Sequence, residues 1–538
     1  MTVHANIARA LRHCGVGLVF GLMGDGNMHH LTDFVRDEGG RLVTAVHEAG
    51  AVSMADGYAR ATGGVGVVSI THGPALTNAV TALATAVRAS TPLVVLTGAT
   101  PARRGHSQHI GLESVARSVG ADYVEVRRAT DAVDDVAMAL TRVLATRVPL
   151  VLDVPLDIQM ATADYAAPAF GTPIHQAIGP DPDALDRALG IMASARRPVV
   201  LAGRGAAVAG AREVLIELAD QLGAALGTTL MGRDLFRGHE YDLGIIGTLG
   251  TDAALTAFGQ ADVVIAFGAG LNAQTTANGG LFDGKAVVHC DLSAAALERH
   301  TPADVTVQGD ALAVGTAMVD ALREAGTEPS RFRTPELAQA LREGAKPSYT
   351  DVSTDTTVDM RTAVRWLDDV LPEDRMVVTD TGRFLKTTWT NLHVAHPRDF
   401  VHTGSFGSMG LGMASAIGAA VARPDQLCVS VVGDGGAMMN LGEFNSAVRN
   451  GVPLLVVVLN DSAYGAEYFK LRNSGVDPTY AQFDWPEFAE VARALGGDGV
   501  TVRCRADLDE AAAAIKDMDR ALLIDVKVDP SWTFLDWD

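Results

Sequence analysis

Short apolar runs alternate with amphipathic stretches along most of this chain, and each run stops at glycine or a polar residue. In the first third the runs cover 18–20, 42–45, 65–70, 92–97 and 149–154. Runs of this length with such stops predict strands, and the helical-period segments between them predict crossover helices. In the middle third, 199–210 (VVLAGRGAAVAG) and 263–272 (VVIAFGAGLN) each read as a strand entering a glycine turn. Near the C-terminus, 427–432 and 453–459 repeat the theme. The pattern predicts an α/β fold with doubly wound, mainly parallel sheets.

Two polar stretches interrupt it. One spans 163–182, with prolines at 168, 173, 180 and 182; the other spans 324–358, with prolines at 329, 335 and 347. Read as linkers, they divide the chain into domains at 1–165, 180–325 and 355–538.

The segment 427–465 carries the densest chemistry. A strand stops at Gly433-Asp434-Gly435, a helical stretch follows over about 440–450, and a second strand stops at Asn460-Asp461. In a βαβ unit both stops face the carboxyl edge of a parallel sheet. Carboxylates and carbonyls gathered there suit Mg²⁺ sharing its shell with a phosphate, and glycines let backbone N–H groups approach that phosphate. A second concentration lies at 44–80 (TAVHEAGAVSMADGYARATGGVGVVSITHGPALTNAV). There Glu48 opens a helix ending near Ala61, and His72-Gly73-Pro74 follows a strand. Glu48 at a helix N-terminus also suits the helix dipole.

Together these segments resemble the thiamine-diphosphate (ThDP) enzymes that act on 2-oxo acids, a family including pyruvate, indolepyruvate and benzoylformate decarboxylases and acetolactate synthase. The resemblance covers the whole chain: a pyrimidine-binding domain, a middle domain and a diphosphate-binding domain. It implies ThDP and Mg²⁺ as cofactors, with Asp434, Asp461 and the Ala463 carbonyl as metal ligands. The family carries asparagine where Asp461 stands, so this chain departs from it there. The resemblance also implies that Glu48 hydrogen-bonds the aminopyrimidine. A carboxyl facing that ring nitrogen makes the exocyclic amine a base. Further cofactor contacts fall on Pro74, Asn78, Asp380, Thr381, Gly382, Ser408, Met409, Gly433, Gly435, Gly436, Ala437, Tyr464 and Gly465. Met409 corresponds to the bulky apolar residue that supports the bent cofactor. Because Glu48 and Asp434 lie in different domains, the family's arrangement implies an active site between subunits of a homodimer or homotetramer.

The reaction turns on ionisable groups near the thiazolium. Asp25 in GDGN, Glu467 six residues after Asp461, His109 and His72 match or fall near catalytic positions of the decarboxylases. Each has a plainer reading: Asp25 as a helix cap, Glu467 as a solvated helix residue, the histidines as loop residues. The pattern favours non-oxidative decarboxylation of a 2-oxo acid to an aldehyde through an enamine. The alternative is an acetolactate-synthase-like carboligase that couples the enamine to a second carbonyl compound. Two features weigh against a biosynthetic synthase. Lys470 aligns with a tryptophan that many synthases use in substrate selection, and GAGLNAQTT departs from their arginine-containing, FAD-binding pattern. No FAD is therefore expected. An inert regulatory homologue would have lost Glu48 or the GDG turn, and both are present.

Composition changes little beyond this. Asp and Glu number 64 against 43 Lys and Arg, a formal charge of −21 that argues against a nucleic-acid-binding face. Cys14, Cys290, Cys428 and Cys504 are far apart and are expected as reduced thiols of a cytoplasmic protein. No apolar run reaches membrane-spanning length, and the first residues lack a signal-peptide core. The middle-domain glycine turns read as ordinary α/β turns rather than a nucleotide site. The tail SWTFLDWD (531–538) reads equally as a lid or an ordered end.

Overall fold

A computed structural model describes residues 1–100, 106–171 and 177–530; the 531–538 tail lies outside them. Three six-stranded parallel sheets account for the alternating pattern. The first holds β1 (Leu18–Gly21), β2 (Arg41–Thr44), β3 (Gly66–Ile70), β4 (Leu93–Thr97), β5 (Asp122–Glu125) and β6 (Leu150–Asp153), in the order β2-β1-β3-β4-β6-β5. The second holds β7 (Pro198–Ala202), β8 (Ala225–Thr228), β9 (Asp242–Ile245), β10 (Val263–Phe267), β11 (Ala286–Asp291) and β12 (Val305–Gln308), in the order β12-β11-β10-β7-β8-β9. The third holds β13 (Arg375–Thr379), β14 (Phe400–His402), β15 (Leu427–Gly433), β16 (Leu455–Asn460), β17 (Asp498–Val502) and β18 (Leu522–Lys527), in the order β14-β13-β15-β16-β18-β17. In each sheet the order reverses direction from an inner strand, as doubly wound topology requires.

The chain forms two compact units. The first and third sheets share one, and the second sheet forms the other together with the excursion Thr388–Phe400. Within the second unit Arg233, almost fully buried, donates to the Leu392 carbonyl, and Asp234 accepts from the Val394 amide at 3.1 Å. The stretch 324–358 is not wholly a linker. A helix spans Pro335–Gly344, with Thr334 capping the Leu337 amide and Pro335 in its first turn, where a missing N–H costs nothing.

In the first unit a single apolar core runs from Phe20 and Val68 of the first sheet to Val378 and Val456 of the third. Two helices cross inside it, Glu48–Thr62 and Gly412–Ala422. Small residues dominate both: Gly50, Ala51, Ala55, Gly57 and Ala59 on one, and Ala414, Ala416, Gly418 and Ala419 on the other, all buried. Glycine is required where the backbones meet. A Cβ on Gly57 would lie 2.0 Å from the Ser415 carbonyl oxygen, and one on Gly418 would lie 1.7 Å from that of Met54. Ser415 Oγ adds a hydrogen bond to the Ser53 carbonyl at 3.1 Å.

Cys14, Cys290 and Cys428 are buried free thiols and Cys504 is half-buried. Among the described residues no helix is long and apolar enough to cross a membrane.

Because neither backbone can retreat from this crossing, Gly418→Ala should destabilise the first unit by about 3 kcal/mol. Urea unfolding of the variant would measure the loss, and a midpoint equal to wild type would show that the crossing can open.

Candidate active site

The first sheet's register brings three candidate residues to one edge. Gly21 pairs with Thr44 on one side and Ser69 on the other, so the segments leaving β1, β2 and β3 emerge side by side. They carry Asp25, Glu48 and His72. Glu48 begins its helix directly after the N-cap His47, whose Nδ1 accepts from the Ala49 amide at 3.1 Å. Asn78, one turn into the helix Pro74–Arg88, donates to Glu48 Oε2 at 3.0 Å.

What aims this helix comes from the third sheet's side of the core. Glu443, fully buried, accepts from the amides of Val46 and His47 at 3.1–3.3 Å. Burial raises its pKa, while those amides and Ser446 pull it down. A few residues on, Asn450 pairs with both the amide and the carbonyl of Thr44, at 3.1 and 2.9 Å. The turn into Glu48 is thus fixed by side chains some 400 positions later in the chain.

Asp25 does not cap the helix that follows it. Its Oδ1 accepts from Thr71 Oγ1 at 3.0 Å, and the turn is organised by Asn27, which bonds the Gly24 amide, the Leu22 carbonyl and Ser69 Oγ. His72 is buried, its Nε2 lies 2.8 Å from Gln108 Oε1 and 3.7 Å from Asp25 Oδ1, and its ring meets His106 edge-on. His109 is exposed and pairs with Thr100 Oγ1 at 3.2 Å. The structure therefore groups Asp25, Thr71, His72, His106 and Gln108, with His109 beside rather than within the group.

The third sheet builds the other part. Gly433 at the end of β15 pairs with Leu459 of β16, so Asp434 and Asn460 emerge as neighbours. The expected helix over 440–450 is two pieces, Asp434–Met439 and Gly442–Arg449, and the first begins at Asp434 itself. Asn460 is structural: it donates to Asp525 Oδ1 at 2.9 Å and accepts from the Ser462 amide at 3.0 Å. Ser462 takes a left-handed φ of 54°, which turns Ala463 back toward Asp434. The Ala463 amide then lies 2.9 Å from Asp434 Oδ2 and 3.2 Å from Asp461 Oδ1. Two buried carboxylates thus converge on one N–H. Trp485 Nε1 donates to the same Asp434 oxygen at 2.8 Å. Burial, and then the charge of Asp461, push the Asp434 carboxyl up to about 8.

Asp434, Asp461 and Ala463 line a cleft together with Thr381, Gly382, Arg383, Met409, Gly433, Gly435, Gly436, Tyr464, Gly465 and Glu467. Every lining residue lies at or beyond Met360, so Glu48, Asp25, His72 and His109 do not reach the cleft of their own chain. Pro74 and Asn78 stay with Glu48. Three other expected contacts lie outside the cleft. Asp380 is buried, accepting from the amides of Thr381 and Gly410 at 2.8 Å and from Thr403 Oγ1 at 3.2 Å, and so holds the loop that presents Met409. Ser408 faces Thr85 at 3.4 Å, and Ala437 is packed in the core. Sequence reasoning missed Gln108, Glu443, Trp485 and Arg383. Only Arg383 had a signal, since a second carboxylate at 461 calls for a cation nearby.

Family comparisons agree with this layout in order and extent. Thiamine pyrophosphate enzyme descriptions match three times: the N-terminal TPP binding domain over residues 1–118, the central domain over 185–318, and the C-terminal TPP binding domain over 380–526. The acetolactate synthase isozyme 2 large subunit of Escherichia coli (strain K12) is 30% identical, over 97% of this chain and 95% of its own. The acetolactate synthase large subunit of Parasynechococcus marenigrum is 30% identical over 97% and 87%. A probable acetolactate synthase large subunit of Methanococcus aeolicus is 28% identical over 90% and 85%. The chain belongs to the thiamine pyrophosphate enzyme family.

The residues present fit the family's cofactor. Oxygen donors from Asp434, Asp461 and Ala463 suit a hard divalent cation, which would relieve the repulsion between the two carboxylates. The turn itself requires the glycines: a Cβ on Gly435 would strike Tyr464 at 2.5 Å, and one on Gly436 would strike Asp380 Oδ2 at 2.5 Å.

Glu443→Leu should cost about 1–3 kcal/mol of stability, because it strands the Val46 and His47 amides in the core. A urea midpoint unchanged from wild type would remove Glu443 from its role in fixing the Glu48 helix.

Proposed function

We propose that this ThDP-dependent enzyme is a Mg²⁺-requiring carboligase of 2-oxo acids, which decarboxylates a donor and joins the remaining fragment to a second carbonyl compound. What supports coupling over release of a free aldehyde is the likeness, along almost the whole chain, to relatives named acetolactate synthase large subunits. That likeness displaces the decarboxylase preference drawn from Asp25 and Glu467. In keeping with it, His109 bonds Thr100 instead of joining the Asp25–His72 group, and Glu467 is an exposed residue of the helix Gly465–Asn473.

When bound, ThDP supplies a carbon nucleophile for the 2-oxo group and a sink for the electron pair that decarboxylation releases. The chain's residues do the rest. Asp434, Asp461 and the Ala463 carbonyl hold the cation that anchors the diphosphate, and the Gly433–Gly436 turn lets that diphosphate approach the backbone. Met409 supports the cofactor's bend. Glu48, oriented by Asn78, shares a proton with the aminopyrimidine. Asp25, His72 and Gln108 form a polar patch next to Glu48 that can orient the substrate carboxylate or the acceptor carbonyl. Because Glu48 does not line the Asp434 cleft of its own chain, one cofactor meets both only between two copies, so the working unit is at least a homodimer.

Two measurements test this. With ThDP, Mg²⁺ and pyruvate, alone or with 2-oxobutyrate or an aldehyde acceptor, the main product should be acetolactate or another hydroxyketone. Acetaldehyde matching CO₂ one for one, with no coupled product, would restore the decarboxylase. Glu48→Gln should lower turnover by about 100-fold or more while leaving ThDP bound, because only the proton shared with the ring is lost. Near-normal turnover would release Glu48 from that role.

A further inference from the structure

A metal–diphosphate reading of the Asp434 cleft leaves Arg383 without a part, yet Arg383 lines the cleft and is built into it. Its side chain is 4% exposed, and Nε donates to Asp461 Oδ2. Nη2 donates to the Asp529 carbonyl at 2.8 Å, and the guanidinium lies 5.4 Å from the Phe469 ring. Gly465 makes the pairing possible, since a Cβ there would sit 2.3 Å from Asp461 Oδ2 and 2.5 Å from Arg383 Cδ.

Asp461 divides its two oxygens between different neighbours. Oδ2 takes Arg383, while Oδ1 turns toward the Ala463 amide that also meets Asp434. A carboxylate can serve both sides, because each oxygen accepts. An amide offers one acceptor and one donor, and the donor would face either the guanidinium or the cation. The charges also balance. With both carboxylates ionised, as ligands to a cation would be, Asp434, Asp461 and Arg383 sum to −1, the charge of a site with one carboxylate and a neutral partner.

We infer that Arg383 and Asp461 act as one charge-matched unit of the metal site, in which Asp461 bridges Arg383 and the divalent cation through separate oxygens and Arg383 offsets the second carboxylate. This rests on the reading of the cleft as a divalent-cation site. Arg383 is here a positioning residue, not a ligand.

The test is Mn²⁺ binding to the full chain with ThDP and no substrate, followed by the EPR signal of free Mn²⁺. Arg383→Gln makes the site more negative and should tighten Mn²⁺ about tenfold. Asp461→Asn leaves the guanidinium charge facing the cation and should weaken Mn²⁺ about tenfold. The double variant restores the charge and should return to within about threefold of wild type, because the two single effects have opposite sign and cancel. Arg383→Lys keeps the charge and should also stay within about threefold, which keeps the idea testable if Arg383→Gln does not fold. Losses of affinity in both single variants, adding in the double variant and tracking urea stability, would reduce the pair to a structural brace and overturn the inference. Failure of wild type to bind Mn²⁺ with ThDP would instead overturn the metal reading itself, and the pair's role with it.

Discussion

Two backbones in contact set the geometry on which the rest of the first unit depends. Where the Glu48–Thr62 and Gly412–Ala422 helices cross, the space at Gly57 and Gly418 is already occupied by carbonyl oxygens of the opposite helix. Glycine at these two positions lets the helix backbones touch directly, with Ser415 bonded to Ser53 beside them. That closeness merges the cores of two sheets into one. It also brings Glu443 and Asn450, carried by the third sheet's connections, within reach of the backbone just before Glu48. The carboxylate that would activate the cofactor is therefore aimed by the domain that would bind its phosphates. Both the Glu48 helix and the Asp434 turn are thereby held to one packed core.

Much of this was legible in the sequence because it follows from local rules. Apolar runs with glycine or polar stops become strands of parallel sheets, and the stops converge at the carboxyl edges because parallel register forces them to. Asp434, Asp461 and Ala463 converge for that reason. Other features were hidden, each for its own cause. Strand β5, Asp-Tyr-Val-Glu, is a half-exposed edge strand and carries no continuous apolar run. Pro335 looked like linker punctuation, but proline in a first turn after Thr334 is equally a helix start. A helix cap was the plainer reading of Asp25, but that turn is closed by Asn27, and only the fold reveals that Thr71 donates to Asp25.

Long-range partners were hidden most completely. Glu443 and His47 are 396 positions apart, and Arg383 and Asp461 are 78 apart. No periodicity or spacing rule connects such pairs. Electrostatics offered one clue: a carboxylate added beside another carboxylate and a diphosphate demands a positive charge nearby. Trp485 offered none. It stacks on Phe483 at 4.6 Å, which in turn contacts Tyr464, and this aromatic row meets Asp434 through the Trp485 indole N–H, 51 positions along the chain.

The division of labour between the two carboxylates follows from these partners. Asp434 is held by neutral donors, an indole N–H and a backbone N–H, which orient it without supplying a full charge. Burial and the neighbouring Asp461 charge raise its pKa above the ordinary carboxylate range. Asp461 is held by a guanidinium through Oδ2, which leaves Oδ1 to face the Ala463 amide. One carboxylate is thus oriented by neutral donors, and the other is paired with a full positive charge. A site built this way binds its cation with an affinity set as much by the neighbours of its ligands as by the ligands themselves.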